Sequence, residues 1–145
     1  MSTRDDLVIS DPARLAAILR YKRIAVVGMS ANPHRPSHYV AEYLLQHGYD
    51  VTPVNPNGTE VLGRKCYPSL RDVPGPLEIV DIFRNPAAVP EIVEQAIERG
   101  AKAVWMQLGV IHEEAARHAH EAGLSVVMDR CIMVDHRALS RSRLP

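Results

Sequence analysis

Residues suited to binding a phosphate group are concentrated between positions 28 and 37, where the sequence reads GMSANPHRPS. Gly28 allows a sharp backbone turn, and Ser30 and Ser37 offer hydroxyl groups beside backbone amides. A helix beginning after this segment would add the partial positive charge of its amino end, and His34 and Arg35 would add cationic side chains. Turns between strands and helices commonly use Gly, Ser, Asn and Pro, so composition alone leaves phosphate binding and a plain structural turn both open.

The histidines do not form a convincing metal site. His34 and His38 have the spacing of two ligands on one helix face, but Pro36 between them argues against a helix there. His118 and His120 are two residues apart on a predicted helix, so they point to different faces and are expected to be solvated. We therefore predict no bound metal.

One cysteine is a candidate nucleophile. Cys131 follows Asp129 and Arg130 at the end of a predicted strand, and Arg130 or His136 could favour its thiolate. A cysteine is also commonly a small buried apolar residue, so both interpretations stay open. Neither a Ser-His-Asp order nor a pair of carboxylates stands out, and no catalytic residue is predicted.

The elements that would position these residues alternate between apolar strands and helical patterns. IAVVG, at residues 24–28, is a continuous apolar run typical of a strand buried on both faces. Four more strands are predicted. One ends near Val54, and the others cover residues 78–83, 102–106 and 124–129. Helices are predicted over residues 12–20, 37–47, 89–99 and 112–122. This succession predicts an α/β fold, a Rossmann-like doubly wound parallel sheet of about five strands with helices on both faces.

Bulk properties limit the class of protein. The chain has 145 residues, which suits one domain over residues 1–145, with residues 140–145 expected to be a frayed tail. Its 17 basic and 17 acidic residues balance, so no nucleic-acid partner is predicted. No apolar run could span a membrane, the start of the chain lacks a secretory signal pattern, and two distant cysteines suggest no disulfide framework. A cytoplasmic protein is expected.

A dinucleotide cofactor is the first rival for the phosphate loop, because the same position in this fold serves NAD and FAD. The loop lacks Gly-x-Gly-x-x-Gly, and the second strand ends in Val54-Asn55-Pro56, where an NAD site normally places Asp or Glu for the ribose hydroxyls. Both features argue against NAD.

An ordered set of segments carries a family resemblance across residues 22–135: IAVVGMSANPHRPSHYVAEYLLQHGYDVTPVNP, LGRKCYPSL, VDIFRNPAAVPEIVEQAI, AVWMQLGV and VVMDRCIMVDH. In this order they resemble the stand-alone CoA-binding domain family, which is similar to the amino-terminal domain of the succinyl-CoA synthetase alpha subunit and related acyl-CoA synthetases. The resemblance implies coenzyme A as the ligand.

The resemblance also implies roles for individual residues. The loop that begins at Gly28 and reaches Ser37 would hold the CoA phosphates, through Ser30, Ala31, Asn32, Pro33 and Arg35. Val54, Asn55 and Pro56 would border the adenosine, and Phe83, Arg84, Asn85 and Pro86 would form another wall. Met106, Gln107 and Gly109 would line the path of the pantetheine arm, with Cys131 close to the emerging thiol.

The chain departs from the synthetase in three ways. SANPHRPS replaces the glycine-rich first loop, Asn57 stands where the synthetase loop has a lysine, and the domain carrying a phosphorylated histidine would lie beyond the end of this chain. We therefore expect no enzyme but non-catalytic binding of CoA or an acyl-CoA at the carboxyl edge of the sheet. The alternative is an oxidoreductase that uses a nucleotide cofactor in the same cleft.

Overall fold

The computed structural model describes residues 7–142. Its strands are β1 (Arg23–Val27), β2 (Asp50–Val54), β3 (Glu60–Val61), β4 (Arg64–Lys65), β5 (Ile79–Ile82), β6 (Ala103–Met106) and β7 (Ser125–Val127). Its α-helices are α1 (Pro12–Ile18), α2 (Pro36–Gln46), α3 (Val89–Glu98), α4 (Glu113–Glu121) and α5 (Ile132–Ser142).

Five of the strands form one parallel sheet in the order β2-β1-β5-β6-β7. The central strands β5 and β6 are buried at every residue, as expected for apolar runs covered on both faces. The predicted Rossmann-like sheet of five strands is therefore confirmed, and each predicted helix lies within two residues of its expected bounds.

Helices cover both faces of the sheet. One core cluster joins the sheet to α3 and α4, through residues such as Val93 and Ala119. The other joins it to α1, α2 and α5, through residues such as Leu15, Leu44 and Ile132. No helix among the described residues has the length and apolarity needed to cross a membrane.

The strand order determines where a ligand can bind. The chain leaves β1 toward β2 on one side, and the next strand of the sheet, β5, lies on the other side of β1. The connections that follow β1 and β5 therefore diverge at the carboxyl ends of these strands. In open α/β sheets such a switch point is where ligands bind.

The β3–β4 hairpin and the last helix, α5, were not predicted. Residues 60–65 form a small antiparallel hairpin of β3 and β4, whose two-residue strands are too short to show a periodic pattern. The helix α5 includes residues 140–142, so the prediction of a frayed tail is wrong for those residues. Residues 143–145 lie outside the described part of the chain.

Candidate functional site

A cavity of about 600 Å³ opens at the carboxyl edge of the sheet, over the switch point between β1 and β5. Its volume is in the range of small-molecule sites, roughly 300–1,000 Å³. It is lined by Gly28, Ser30, Arg35, Pro36, Ser37, Tyr39, Val40, Phe83, Arg84, Gln107, Leu108, Val110, Cys131, Met133 and Val134.

Gly28 forms part of the cavity floor, at a position that only glycine can occupy without strain. Its φ of +87° is in the left-handed region, and its amide donates to the carbonyl of Val54 at 2.8 Å. A Cβ atom at this position would lie 2.5 Å from the carbonyl oxygen of Phe83. The close approach of the two chain segments thus requires glycine.

The loop between β1 and α2 is braced by its own side chains. The Ser37 hydroxyl accepts a hydrogen bond from the Ser30 amide at 2.9 Å, and the Ser30 hydroxyl accepts one from the Asn32 amide at 3.0 Å. The Asn32 side chain in turn accepts from the His34 amide at 3.0 Å. Each serine still has its hydroxyl proton to donate, so the loop is held in one shape and keeps donors for an anion.

The charged side chains that line the cavity are both cationic. Arg35 and Arg84 lie on its wall, and the amino end of the 11-residue helix α2 adds partial positive charge. Among the described residues that line it, none is Asp, Glu, His or Lys. The cavity therefore favours an anionic ligand, and its described lining includes no carboxylate, imidazole or amine that could act as a general base.

The far wall is held in place by contacts between β6 and the start of α5. The Gln107 side chain accepts a hydrogen bond from the Ile132 amide at 3.0 Å, and the Trp105 indole donates to the Arg130 carbonyl at 2.9 Å. Arg130 makes two 2.8 Å hydrogen bonds with Asp135, and these raise the pKa of the guanidinium. The turn carrying Cys131 is thus fixed against the sheet.

Comparison with known proteins gives the family. The profile of the CoA binding domain matches residues 22–137. The chain belongs to the CoA binding domain family. The resemblance predicted from the ordered segments is confirmed.

Relatives of this CoA-binding domain include small proteins and large ligases. The Bacillus subtilis protein YneT is 44% identical over 117 residues, 81% of this chain and 87% of YneT. An ADP-forming acetate–CoA ligase of Archaeoglobus fulgidus is 31% identical over 100 residues, which is 68% of this chain but only 15% of the ligase. The solved structure of a hypothetical protein from Pyrococcus horikoshii OT3 is 48% identical, with a TM-score of 0.89 over 97% of this chain and 99% of that chain.

Several predicted ligand residues do line the cavity of the CoA-binding domain. They are Gly28, Ser30, Arg35, Ser37, Phe83, Arg84, Gln107 and Cys131. Beside the cavity, but not on its wall, are the exposed residues Ala31, Asn32, Pro33, Asn85, Pro86 and Gly109.

Three predicted ligand residues lie elsewhere. Val54 and Pro56 line a second cavity of about 190 Å³, which also has Arg84 on its wall. Met106 is fully buried in the core on the opposite face of the sheet, so the prediction that it lines the ligand path is wrong for its side chain. Strand alternation explains this placement, because Trp105 and Gln107 face the other way.

The Asn55 side chain is hydrogen-bonded to backbone groups of the protein. Its side-chain nitrogen donates to the Met29 carbonyl at 2.9 Å, and its side-chain oxygen accepts from the Asn57 amide at 2.9 Å. Asn55 therefore helps to hold the loop that follows β1 through Met29.

The remaining candidates are dispersed. His34 is exposed ahead of α2, His38 is buried within it, and His118 forms a 2.7 Å contact with Glu94 on the surface. No group of three metal-ligating side chains occurs in the described part of the chain. Trp105 is a fully buried core residue.

The sequence did not single out the apolar wall residues Tyr39, Val40, Leu108, Val110, Met133 and Val134. A signal was available, because Leu108 and Val110 flank a glycine immediately after a strand, at the edge where this fold binds ligands. Met133 and Val134 could not be placed without α5.

Proposed function

We propose that this CoA-binding domain binds coenzyme A or an acyl-CoA in the 600 Å³ cavity and does not itself catalyse a reaction. The observation that carries the proposal is the cavity's combination of two arginines and a helix amino end with no general base. CoA has anionic phosphates at one end and an uncharged pantetheine arm at the other. Its phosphates would meet the loop that Ser30, Arg35 and Ser37 contribute.

The rival hypothesis, an oxidoreductase that uses NAD in the same cleft, is less well supported. An NAD site needs an acceptor at the end of the second strand for the ribose hydroxyls. Asn55 occupies that position, and both ends of its side-chain amide already bond to the protein backbone.

A thioester bound in this cavity should survive. Hydrolysis needs a base that activates water near the carbonyl carbon, and the described wall residues include no Asp, Glu, His or Lys. The ligases that resemble this chain are far longer, and their activity belongs to whole proteins, such as the Archaeoglobus fulgidus ligase, of which this chain matches 15%. Both cysteines are free thiols, which supports a cytoplasmic location.

A thermal-shift screen with CoA, acetyl-CoA, NAD and AMP tests the proposal. A ligand held at about 100 times its dissociation constant stabilises the folded state by about 2.7 kcal/mol, or about 5 to 10 °C for a domain of this size. We expect that shift with CoA and acetyl-CoA. A shift with NAD and none with CoA would favour the oxidoreductase.

A matched pair of variants locates the effect. Arg35→Ala should reduce the rise in melting temperature that CoA produces, since Arg35 lines the cavity. Arg117 is an exposed arginine on α4, so Arg117→Ala should leave that rise unchanged. Chromatography of acetyl-CoA incubated with the protein should recover the intact thioester. Release of free CoA would contradict the non-catalytic role.

A further inference from the structure

Large hydrophobic side chains are exposed on the walls of the cavity. Leu108 is 66% exposed, Val134 51% and Tyr39 43%, and all three line the cavity. Ile111, at 40%, is also exposed but does not line it. Exposed apolar side chains grouped on a concave wall indicate an interaction site.

The position of Leu108 is fixed by hydrogen bonds. The Val110 amide donates to the Gln107 carbonyl at 2.8 Å, closing a turn, and the Gly109 amide donates to the Asp129 carboxylate at 2.8 Å. The exposure of Leu108 therefore belongs to a defined turn that holds this side chain at the mouth of the cavity.

Strand order separates the apolar wall from the cationic one. The phosphate loop follows β1, whereas Leu108 and Val110 follow β6 and Met133 and Val134 follow β7. With neighbouring strands roughly 4.8 Å apart, β1 and β7 are separated by about 14 Å across the sheet. The two arginines thus lie where β1 and β5 end, whereas the exposed aliphatic side chains Leu108 and Val134 lie on the β6–β7 side of the cavity.

We propose that the β6–β7 side of the cavity binds an aliphatic acyl group joined to CoA through its thioester, and that the preferred ligand is an acyl-CoA with several methylene groups. This inference rests on the proposed function, because the phosphates must lie at the β1 side. The pantetheine arm then crosses the floor at Phe83 and brings the thioester to the wall formed by Cys131 and Met133.

The size of the apolar group favours an acyl chain over a protein partner. A stable protein interface needs roughly 20–30 residues on each side. Here three exposed side chains surround a concave space that continues into the polar part of the same cavity. An acyl chain needs only such a lined space.

Calorimetric titration with free CoA, acetyl-CoA, butyryl-CoA and octanoyl-CoA tests the inference. Each methylene that becomes buried should raise the affinity by roughly two- to fourfold, until the apolar side is filled. We expect octanoyl-CoA to bind at least about tenfold more tightly than acetyl-CoA.

Two variants assign the effect to the apolar wall. Leu108→Ser should reduce the ratio of octanoyl-CoA to acetyl-CoA affinity toward one, and Val134→Ser provides a second, independent change. Ile111→Ser is the matched control, since it removes an exposed hydrophobic side chain outside the cavity. It should leave the ratio unchanged.

The outcomes separate this inference from the proposed function. If CoA binds and the acyl chain has no effect, the inference is overturned while CoA binding stands. If neither CoA nor any acyl-CoA binds, both fail. If wild-type protein is a dimer in sedimentation, Leu108→Ser is a monomer and the acyl chain has no effect, the apolar side is an interface between copies and the inference is also overturned.

Discussion

The two cysteines have different surroundings. Cys131 lies on the cavity wall, where by our proposal the thiol end of CoA emerges. Cys66 is buried between the hairpin and β2, and this burial raises the pKa of its thiol. Exchange with a disulfide requires access and a thiolate, so Cys131 is the better-placed residue.

We predict that incubation with CoA disulfide modifies Cys131. The Cys131 thiolate would attack one sulfur of the disulfide, the sulfur–sulfur bond would break, and one CoA would leave as its thiolate. Intact-mass measurement should show one CoA adduct on the wild type and on Cys66→Ser, and none on Cys131→Ser. An unmodified wild type that still binds CoA would make Cys131 a packing residue.

The sequence was informative about individual residues where chemistry and chain position agree. Gly28, Ser30, Arg35 and Ser37, which do line the cavity, could be singled out because their types suit an anion site and they directly follow the first strand. The accepting roles of Ser37 and Asn55 toward backbone amides could not be recognised. They depend on hydrogen bonds whose geometry exists only in the folded loop.

At the scale of elements, two glycines with the same φ differ in their surroundings. Comparing them distinguishes the cost of a left-handed backbone from the cost of a steric clash. Gly28, after β1, and Gly48, after α2, both have a φ of +87°. A Cβ at Gly48 would meet nothing within 4 Å, whereas one at Gly28 would lie 2.5 Å from the Phe83 carbonyl oxygen.

Replacement of each glycine by alanine should therefore have different effects. Gly48→Ala should lower the free energy of unfolding by about 1–2 kcal/mol, which is the usual penalty for a left-handed alanine. Gly28→Ala should lower it by about 1–3 kcal/mol more, because β1 and β5 must also move apart. Urea denaturation would measure both losses. Equal losses would show that the backbone at Phe83 moves away from a Cβ at position 28 without a measurable cost.

The elements that the sequence missed depend on contacts between distant residues. The first amide of α5 is capped by Gln107, 25 residues earlier in the chain, so no local N-cap signal precedes this helix. The hairpin of β3 and β4 turns through Leu62 at a φ of +53°, a conformation that leucine rarely adopts. The five main strands were predictable because each contains buried β-branched residues and is followed by turn residues, although β2 also includes the partly exposed Asp50 and Thr52.

At the scale of the whole molecule, one buried carboxyl group stands out. Asp81 is fully buried in β5, and neither oxygen has a hydrogen-bond partner, a situation shared by no other side chain in the described residues. Its neighbours in register are Val26 and Trp105, and Phe83, two residues on, faces the cavity. Burial raises the pKa of Asp81 well above its ordinary value, because desolvation disfavours the charged form.

This group should make the protein less stable as the pH rises. Between the ordinary pKa of 3.8 and the raised pKa of the folded state, the unfolded chain releases the Asp81 proton and the folded protein keeps it. The free energy of unfolding then falls by up to about 1.4 kcal/mol per pH unit, and the loss ends above the raised pKa.

Comparison of wild type with Asp81→Asn isolates this contribution, since asparagine does not titrate. Urea denaturation at a series of pH values should show the variant gaining on the wild type across that window, and no change in their difference below pH 3.8. Parallel profiles throughout would mean that the folded protein ionises Asp81 as readily as the unfolded chain does.

The floor and the walls of the cavity are free to vary to different degrees during evolution. The floor at Gly28 and Phe83 is built from backbone atoms in close contact, so a substitution at Gly28 disturbs the sheet itself. The walls at Leu108 and Val134 are exposed side chains on a loop and on the first turn of a helix, where replacements have little effect on folding. If the cavity binds as we propose, substitutions in the walls alone could change the group that is accepted beyond the thioester, while the floor stays the same.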